Sequence, residues 1–382
     1  MDNPVHCVGF DVHWSAILHS ILLHWYNSGS YRNGHLCSSD TILAGFSNWA
    51  SLLALPRLNG ATLPTAPLAL YQLLAQQQLL AWSLEVVEEL TNGKQSTSEA
   101  GEEIDLTNVR ELRNLLYAHH MRPNKAFGQN FLIDRSILQR IIDAAEIDSS
   151  DQVLEVGAGI GVLTRELAKR ARRVVAVELE RDMLALLTET TRTRANVELI
   201  ARNLLYLDPT EVFGQAPYKL VANLPYYITA PTFRHFLESS NPPHLLVVMV
   251  QHEVAQRIIA GPGDLSLLGV SVQFYGRPKI IAHVPAQTFY PAPKVDSAIL
   301  RVDVHAQPPL LPGERDGFFR VVQAGFSERR KQLHNALTHG LHRNNEVVRA
   351  WLTAANIDPS RRAETLSIEE WLRLYDMICQ RS

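Results

Sequence analysis

The stretch Leu154-Glu155-Val156-Gly157-Ala158-Gly159-Ile160-Gly161 decides the fold. It follows a short apolar run, 152–156, that reads as a buried strand, and it leads into a helical pattern over 163–170. Glycines at a strand-to-helix turn let the backbone bend sharply and approach a ligand with no Cβ in the way. Seventeen residues past Gly161, after a β-branched strand over 173–177, stands Glu178. An acid placed there can accept hydrogen bonds from both hydroxyls of a ribose. The combination points to a nucleoside-type cofactor rather than to a purely structural turn.

Outward from this loop, strand and helix signals alternate. A helix is expected over 137–145, and further strands over 197–200, 218–222 and 245–250. Such alternation implies a doubly wound parallel α/β sheet. The segments 279–284 and 298–304 are expected to add an antiparallel pair at its edge. After a Pro-rich hinge at 307–313, helical periods recur over 318–325, 329–338, 347–355 and 368–378. The expected organisation is therefore an N-terminal extension (1–104), an α/β domain (105–306) and a small C-terminal all-α domain (307–382).

The N-terminal extension holds four of the six tryptophans and five histidines within its first 35 residues. Leucines at 68, 70, 73, 74, 79 and 80 mark a helix over 66–90, and the polar run 92–103 reads as a linker. The histidine spacing matches no ligand pattern, so no metal is expected. The three cysteines, Cys7, Cys37 and Cys379, are scattered and suggest no disulfide framework. No run approaches the roughly 20 apolar residues of a membrane span, and no Lys or Arg precedes Arg32. A soluble, cytoplasmic protein is expected. The net charge of −3 excludes wholesale coating of nucleic acid but leaves room for a local basic surface, for which the arginine-rich C-terminal helices are the candidate.

A nicotinamide enzyme would show G-x-G-x-x-G with a pyrophosphate over the helix start. This loop reads G-x-G-x-G, with Glu155 two residues before it, a spacing that resembles an S-adenosylmethionine site. No His or Tyr-Lys pair accompanies it to serve a dehydrogenase. A second signal, Asn223-Leu224-Pro225-Tyr226, follows the strand over 218–222, at the sheet edge where open α/β folds bind ligands. Its residue types suit methylation of an exocyclic adenine amine. An Asn223 side-chain carbonyl and the Leu224 backbone carbonyl can each accept an N6–H bond. They thereby favour the pyramidal nitrogen of the transition state. Pro225 stiffens the loop, and Tyr226 offers a ring face to a flipped base. Read alone, the tetrapeptide is also a common kind of turn.

Four motifs occur in order: Phe127-Gly128-Gln129-Asn130-Phe131-Leu132, the glycine loop, Asn223-Leu224-Pro225-Tyr226, and Phe289-Tyr290-Pro291-Ala292-Pro293-Lys294-Val295-Asp296-Ser297-Ala298. Together they resemble the ribosomal RNA adenine N6,N6-dimethyltransferase family, in its bacterial small-subunit (kasugamycin-sensitivity) branch. The resemblance runs from about Arg122 to the C-terminus. It implies S-adenosyl-L-methionine as cofactor, with Asn130 and Leu132 in the segment covering it, Gly157 and Gly159 in its loop, and Glu178 on its ribose. It implies Asn223 as catalytic and methionine-side contact, Tyr226 as a stacking residue, and Phe289 as the aromatic on the other face of the target adenine. It further implies a substrate of two adjacent adenines in a hairpin loop near the 3′ end of 16S rRNA, each methylated twice, within an assembling small ribosomal subunit. Arg329, Arg330 and Lys331 are the expected RNA contacts, and a monomer is expected.

One position departs from the family pattern. Asn203 stands where an Asp usually holds the cofactor's adenine amino group, so the charge assistance of a carboxylate is lost. Two other readings stay open on sequence: a macrolide-resistance-type methyltransferase of large-subunit RNA, and a ribosome-assembly factor that keeps the fold without turnover. Leu224, the Lys294-Val295-Asp296-Ser297 run, Phe326-Ser327-Glu328-Arg329-Arg330-Lys331-Gln332-Leu333 and the ending Arg362-Ala363-Glu364-Thr365-Leu366-Ser367 favour the small-subunit branch.

Overall fold

A computed structural model describes residues 103–123 and 128–380. The helix expected over 66–90, the early histidines and Phe127 lie outside the described residues. A first helix, α1 (Val109–Ala118), is capped by Asn108, whose side chain accepts from Arg110 N and Glu111 N. The α/β region then runs β1 (Phe131–Leu132), α2 (Arg135–Ala145), β2 (Gln152–Val156), α3 (Val162–Ala168), β3 (Arg173–Glu178), α4 (Arg181–Thr191), β4 (Val197–Ala201), α5 (Pro209–Phe213), β5 (Lys219–Asn223), α6 (Thr229–Leu237), β6 (Leu245–Gln251), α7 (His252–Ile259), α8 (Leu267–Gln273), β7 (Gly276–Val284), β8 (Phe289–Tyr290) and β9 (Ser297–Val304). Helices α9 (Pro312–Phe326), α10 (Leu333–Leu341), α11 (Asn345–Ala354) and α12 (Ile368–Gln380) follow.

Seven strands form one sheet in the order β4-β3-β2-β5-β6-β9-β7. The first five are parallel, and β9 and β7 complete the edge antiparallel, as the sequence pattern implies. Parallel strands are covered on both faces, which is why 220–222 and 245–250 are continuously apolar and buried. Alternation along each strand divides the core. Leu154, Val156 and Val248 join one apolar cluster, and Val153, Val247 and Met249 join another on the opposite face. Chain order reverses between β2 and β5, so a crevice opens beyond the carboxyl ends of those two strands. The glycine loop leaves one of them and Asn223 ends the other. Among the described residues, no helix is long and apolar enough to cross a membrane.

The C-terminal helices differ from the sequence expectation in two places. Helix α9 starts at Pro312, inside the expected hinge, because proline is well tolerated in a first turn and Glu314 accepts from Leu311 N at 2.9 Å. Helix α10 starts at Leu333 rather than at 329, so Arg329, Arg330 and Lys331 lie in an exposed turn and not on a helix. The Ser327 hydroxyl donates to Ala324 O at 2.7 Å, drawing off one of the last carbonyls of α9, and Lys331 N closes the turn on Glu328 O at 2.9 Å.

These helices share the first apolar cluster with the sheet. Phe318 stacks on Phe274 with ring centroids 4.9 Å apart, and buried Trp371 stacks on Phe326 at 5.8 Å. Trp371 fits because residue 325 is glycine: a Cβ there would overlap the indole at Cη2. Gly325→Ala is accordingly expected to destabilise the fold by about 1–3 kcal/mol, visible as a lower melting temperature. An unchanged melting temperature would show that α9 and α12 can separate without cost.

Candidate active site

The site is built where five chain segments meet at the carboxyl edge of the sheet. The glycine loop turns through positive φ at Gly157 (71°), Gly159 (58°) and Gly161 (87°), a region where side chains with a Cβ are strained. The third glycine has a packing role as well. A Cβ on Gly161 would come within 2.9 Å of Leu187 Cδ1 and 3.0 Å of Thr190 Oγ1, both on α4. Gly157 and Gly159 face Pro225 and Phe131 instead, at ordinary contact distances of 3.5 and 3.8 Å from the built Cβ.

Glu178 ends β3 and holds this loop. Its Oε2 accepts from Gly159 N at 2.8 Å, and its Oε1 accepts from Leu179 N at 2.8 Å and Glu180 N at 2.9 Å. A carboxylate has about four acceptor sites, so Oε2 retains capacity for a ligand hydroxyl. Asn203 lies beside it, two residues past Ala201, the register partner of Glu178. The Asn203 side chain caps a short 3₁₀ turn, Oδ1 accepting from Leu205 N at 3.0 Å. Its one side-chain oxygen is thus already engaged, whereas an aspartate would keep a second.

On the other side of the crevice, Asn223 Nδ2 donates to Asn130 O at 3.3 Å, which leaves Oδ1 as the acceptor of that amide. Leu224 is buried and its N–H donates to Met249 O at 3.2 Å. Pro225 is wedged between two glycines, since the built Cβ atoms of Gly128 and Gly157 each lie 3.5 Å from its ring. Tyr226 is half-buried, with Oη 2.8 Å from Ser297 Oγ, and burial pushes its phenol up from the ordinary value. Asn130, Gly157, Gly159, Glu178, Asn203, Asn223, Leu224, Pro225 and Tyr226 are therefore brought to one edge.

Leu132 and Phe289 are register partners in the β1–β8 ribbon and lie in an apolar cluster. At 3 % exposure the Phe289 ring offers a base little face as placed. The turn carrying Arg329, Arg330 and Lys331 lies between α9 and α10, and its three cations form no ion pair with a described residue. Ser297 and Gly128 were present in the quoted motifs, but their parts in fixing Tyr226 and Pro225 appear only once the segments are folded together. Arg113 from α1 is a further addition: its Nε donates to Tyr290 Oη at 3.0 Å, and its guanidinium lies 4.9 Å from that ring's centroid.

Beneath the loop, Glu155 is fully buried, and neither its Oε2 nor Thr164 Oγ1 has a hydrogen-bond partner among the described residues. An orphaned acid under a loop shaped for a nucleoside fits a site completed by a polar or cationic ligand group. Burial pushes the Glu155 carboxyl from 4.5 up to about 8; the neighbouring Thr164 hydroxyl works against this rise, and the nearby Glu178 charge adds to it. The folded chain then holds this proton more tightly than the unfolded one. The contribution of this group to stability is fully present below pH 4.5 and is lost as the pH rises towards about 8. Glu155→Gln is expected to flatten that fall and, at pH 8, to melt above the parent chain; thermal melts across this range decide it.

Comparison with known proteins agrees with the geometry. The family model described as ribosomal RNA adenine dimethylase matches residues 120–380. The protein named ribosomal RNA small subunit methyltransferase A of Dehalococcoides mccartyi is 47 % identical over 268 residues, 70 % of this chain and 92 % of that one. Its namesake from Moorella thermoacetica is 44 % identical over 260 residues, 65 % of this chain and 90 % of that one. Among solved structures, the 23S rRNA methyltransferase ErmE superposes with a TM-score of 0.54 at 29 % identity, covering 66 % of this chain and all of that one. A dimethyladenosine transferase from Plasmodium falciparum gives 0.53 at 26 % identity, covering 63 % and 94 %. On its fold, the arrangement of its site and these matches, the chain belongs to the ribosomal RNA adenine dimethylase family.

Proposed function

We propose that the protein transfers methyl groups from S-adenosyl-L-methionine to N6 of two adjacent adenines in the 3′-terminal hairpin loop of 16S rRNA, giving N6,N6-dimethyladenosines. The observation that carries this reading is the Asn223 amide, tethered through Nδ2 to Asn130 O so that its oxygen is the free pole. It stands at the strand end next to the glycine loop. The cofactor supplies an electrophilic methyl on a sulfonium, open to attack by the adenine nitrogen.

The chain's own residues make that nitrogen nucleophilic and hold it in place. Adenine N6 is a weak nucleophile because its lone pair is delocalised into the ring. Asn223 Oδ1 and the Leu224 carbonyl accept its two hydrogens and favour the pyramidal nitrogen that develops during attack. Pro225, packed against Gly128 and Gly157, ties the catalytic loop to both cofactor-side segments, so the acceptors are set before substrate arrives. Tyr226, with its hydroxyl fixed by Ser297, presents a ring for the base to stack on. The proton leaves to water once the nitrogen carries positive charge, so no strong base is required. On the cofactor side, Glu178 takes the ribose and Asn203 the adenine, with Asn130 and Leu132 forming the cover.

Residues 105–306 make up the catalytic part in this reading, and residues 307–382 the ribosome-binding part, with the Arg329-Arg330-Lys331 turn on the RNA backbone. A monomer acting in the cytoplasm on assembling small subunits completes the proposal. With Phe289 buried, Tyr226 carries the larger share of the stacking in this reading.

Labelled methyl transfer to small subunits lacking their dimethyladenines, mapped by primer extension, is expected to approach four methyls on the adjacent adenines. Asn223→Ala should lower that rate by about 100-fold or more while the cofactor still binds. Transfer to large-subunit RNA instead would move the chain to the resistance branch, and cofactor binding without transfer would leave an assembly factor. Asn203→Asp is expected to tighten cofactor binding by about tenfold, in line with roughly 1.5 kcal/mol for a charged acceptor. Calorimetric titration reads this directly, and an unchanged affinity would remove Asn203 from the site.

A further inference from the structure

The catalytic loop accounts for one side of the crevice edge; the strand ends beyond it form a second hollow. Gln251, His252, Glu253, Lys294, Val295 and Asp296 line a cavity of about 430 Å³ where β6 ends and β9 begins. It adjoins the site through two connections. Ser297, next to Asp296, holds Tyr226 through its hydroxyl. In the sheet, Asn223 pairs with Met249, so Gln251 stands two residues further along the neighbouring strand, about 7 Å out. That step is comparable with the length of one extended nucleotide.

The charges in this hollow are not balanced. Asp296 is taken up by His283, at 3.0 Å from Nε2, and by Ala286 N at 2.9 Å. Glu253 is paired with Arg257 on the same helix. His283 in turn meets His252 edge to face, with ring centroids 4.8 Å apart. Lys294, exposed after the Pro291-Ala292-Pro293 segment, forms no ion pair with a described residue. It is the one Lys or Arg of the lining and has no carboxylate partner among the described residues, whereas Asp296 is compensated by His283 only when that imidazole is protonated; two prolines already stiffen the backbone that carries Lys294. Beside it, Val295 leaves 46 % of its surface exposed, an apolar contact facing the same space. Gln251 contributes an amide that can donate to and accept from one base edge.

A free cation, an apolar surface and an amide in one hollow match a nucleotide: phosphate, base face and base edge. The geometry points to this cavity as the subsite for the nucleotide adjoining the target adenosine, with Lys294 on its phosphate. The inference rests on the RNA substrate proposed above and adds a positioning residue to it. While one adenine is presented to Asn223, its neighbour on the strand is held beyond β6 and sets the register of the one being methylated.

The test is the salt dependence of binding of the full chain to small subunits lacking their dimethyladenines, measured between about 50 and 200 mM salt. Each phosphate contact to an unpaired strand contributes about 0.7 to the slope of log affinity against log salt. Lys294→Gln is expected to reduce the slope by about that amount and to raise KM for small subunits several-fold. Cofactor affinity and melting temperature should stay at parent values, and Lys294→Arg should restore both slope and KM. Parent-like slope and KM in Lys294→Gln, with methyl transfer intact, would overturn the subsite alone. A parent chain that does not bind small subunits would overturn the substrate reading and the subsite with it.

Discussion

Three backbone N–H groups converge on the carboxylate of Glu178, and the arrangement of the site depends on that convergence. One comes from the glycine loop and two from the start of the segment leading into α4. A charged acceptor makes such bonds short and strong. It fixes the loop after β2 against the end of β3 while still leaving acceptor capacity towards the crevice. Glu178 also offers its backbone oxygen to Arg202 N at 3.2 Å, which aligns the chain that carries Asn203. A single residue at a strand end thus coordinates three of the segments that face the crevice.

The other half of the crevice is organised without charge. Pro225 between two glycines, the Asn223 amide on a backbone carbonyl, and the Tyr226 hydroxyl on Ser297 are neutral contacts that constrain shape. The division suits the proposed chemistry. A nitrogen that becomes cationic during attack is helped by nearby carbonyl dipoles, and a fixed cation beside it would oppose the reaction. Exposed cations without an ion-pair partner among the described residues are found instead at Lys294 and in the turn holding Arg329, Arg330 and Lys331, where the proposed reading puts the phosphates.

Much of this was legible in the chain itself, for identifiable reasons. The central parallel strand β6 read directly, because residues buried on both faces leave an uninterrupted apolar run, here 245–250. The antiparallel edge followed from β-branched segments after the alternation stops. The glycine loop and the Asn223 loop could be placed because each follows a strand end, and the carboxyl ends of parallel strands share one edge. What the pattern could not give were the features that depend on distant partners. The start of α10 at Leu333 is set by hydroxyl and backbone bonds in the preceding turn, against a helical period that runs on from 329. The burial of Phe289 comes from pairing with Leu132, 157 residues earlier in the chain. The occupied oxygen of Asn203 is a local capping bond that the residue type permits but does not require.

The apolar cluster that joins the sheet to the C-terminal helices has a consequence for how the molecule is made. Phe274 and Phe318 stack across the Pro-rich hinge, and Gly263 and Leu265 donate backbone bonds to Glu364 O at 2.8 and 3.2 Å. During synthesis the sheet emerges before the helices that cover it. Until α9 leaves the ribosome, Phe274 lacks the rings of Phe318 and Phe319 that cover it in the folded chain. The sheet therefore depends on helices translated after it to close this apolar face.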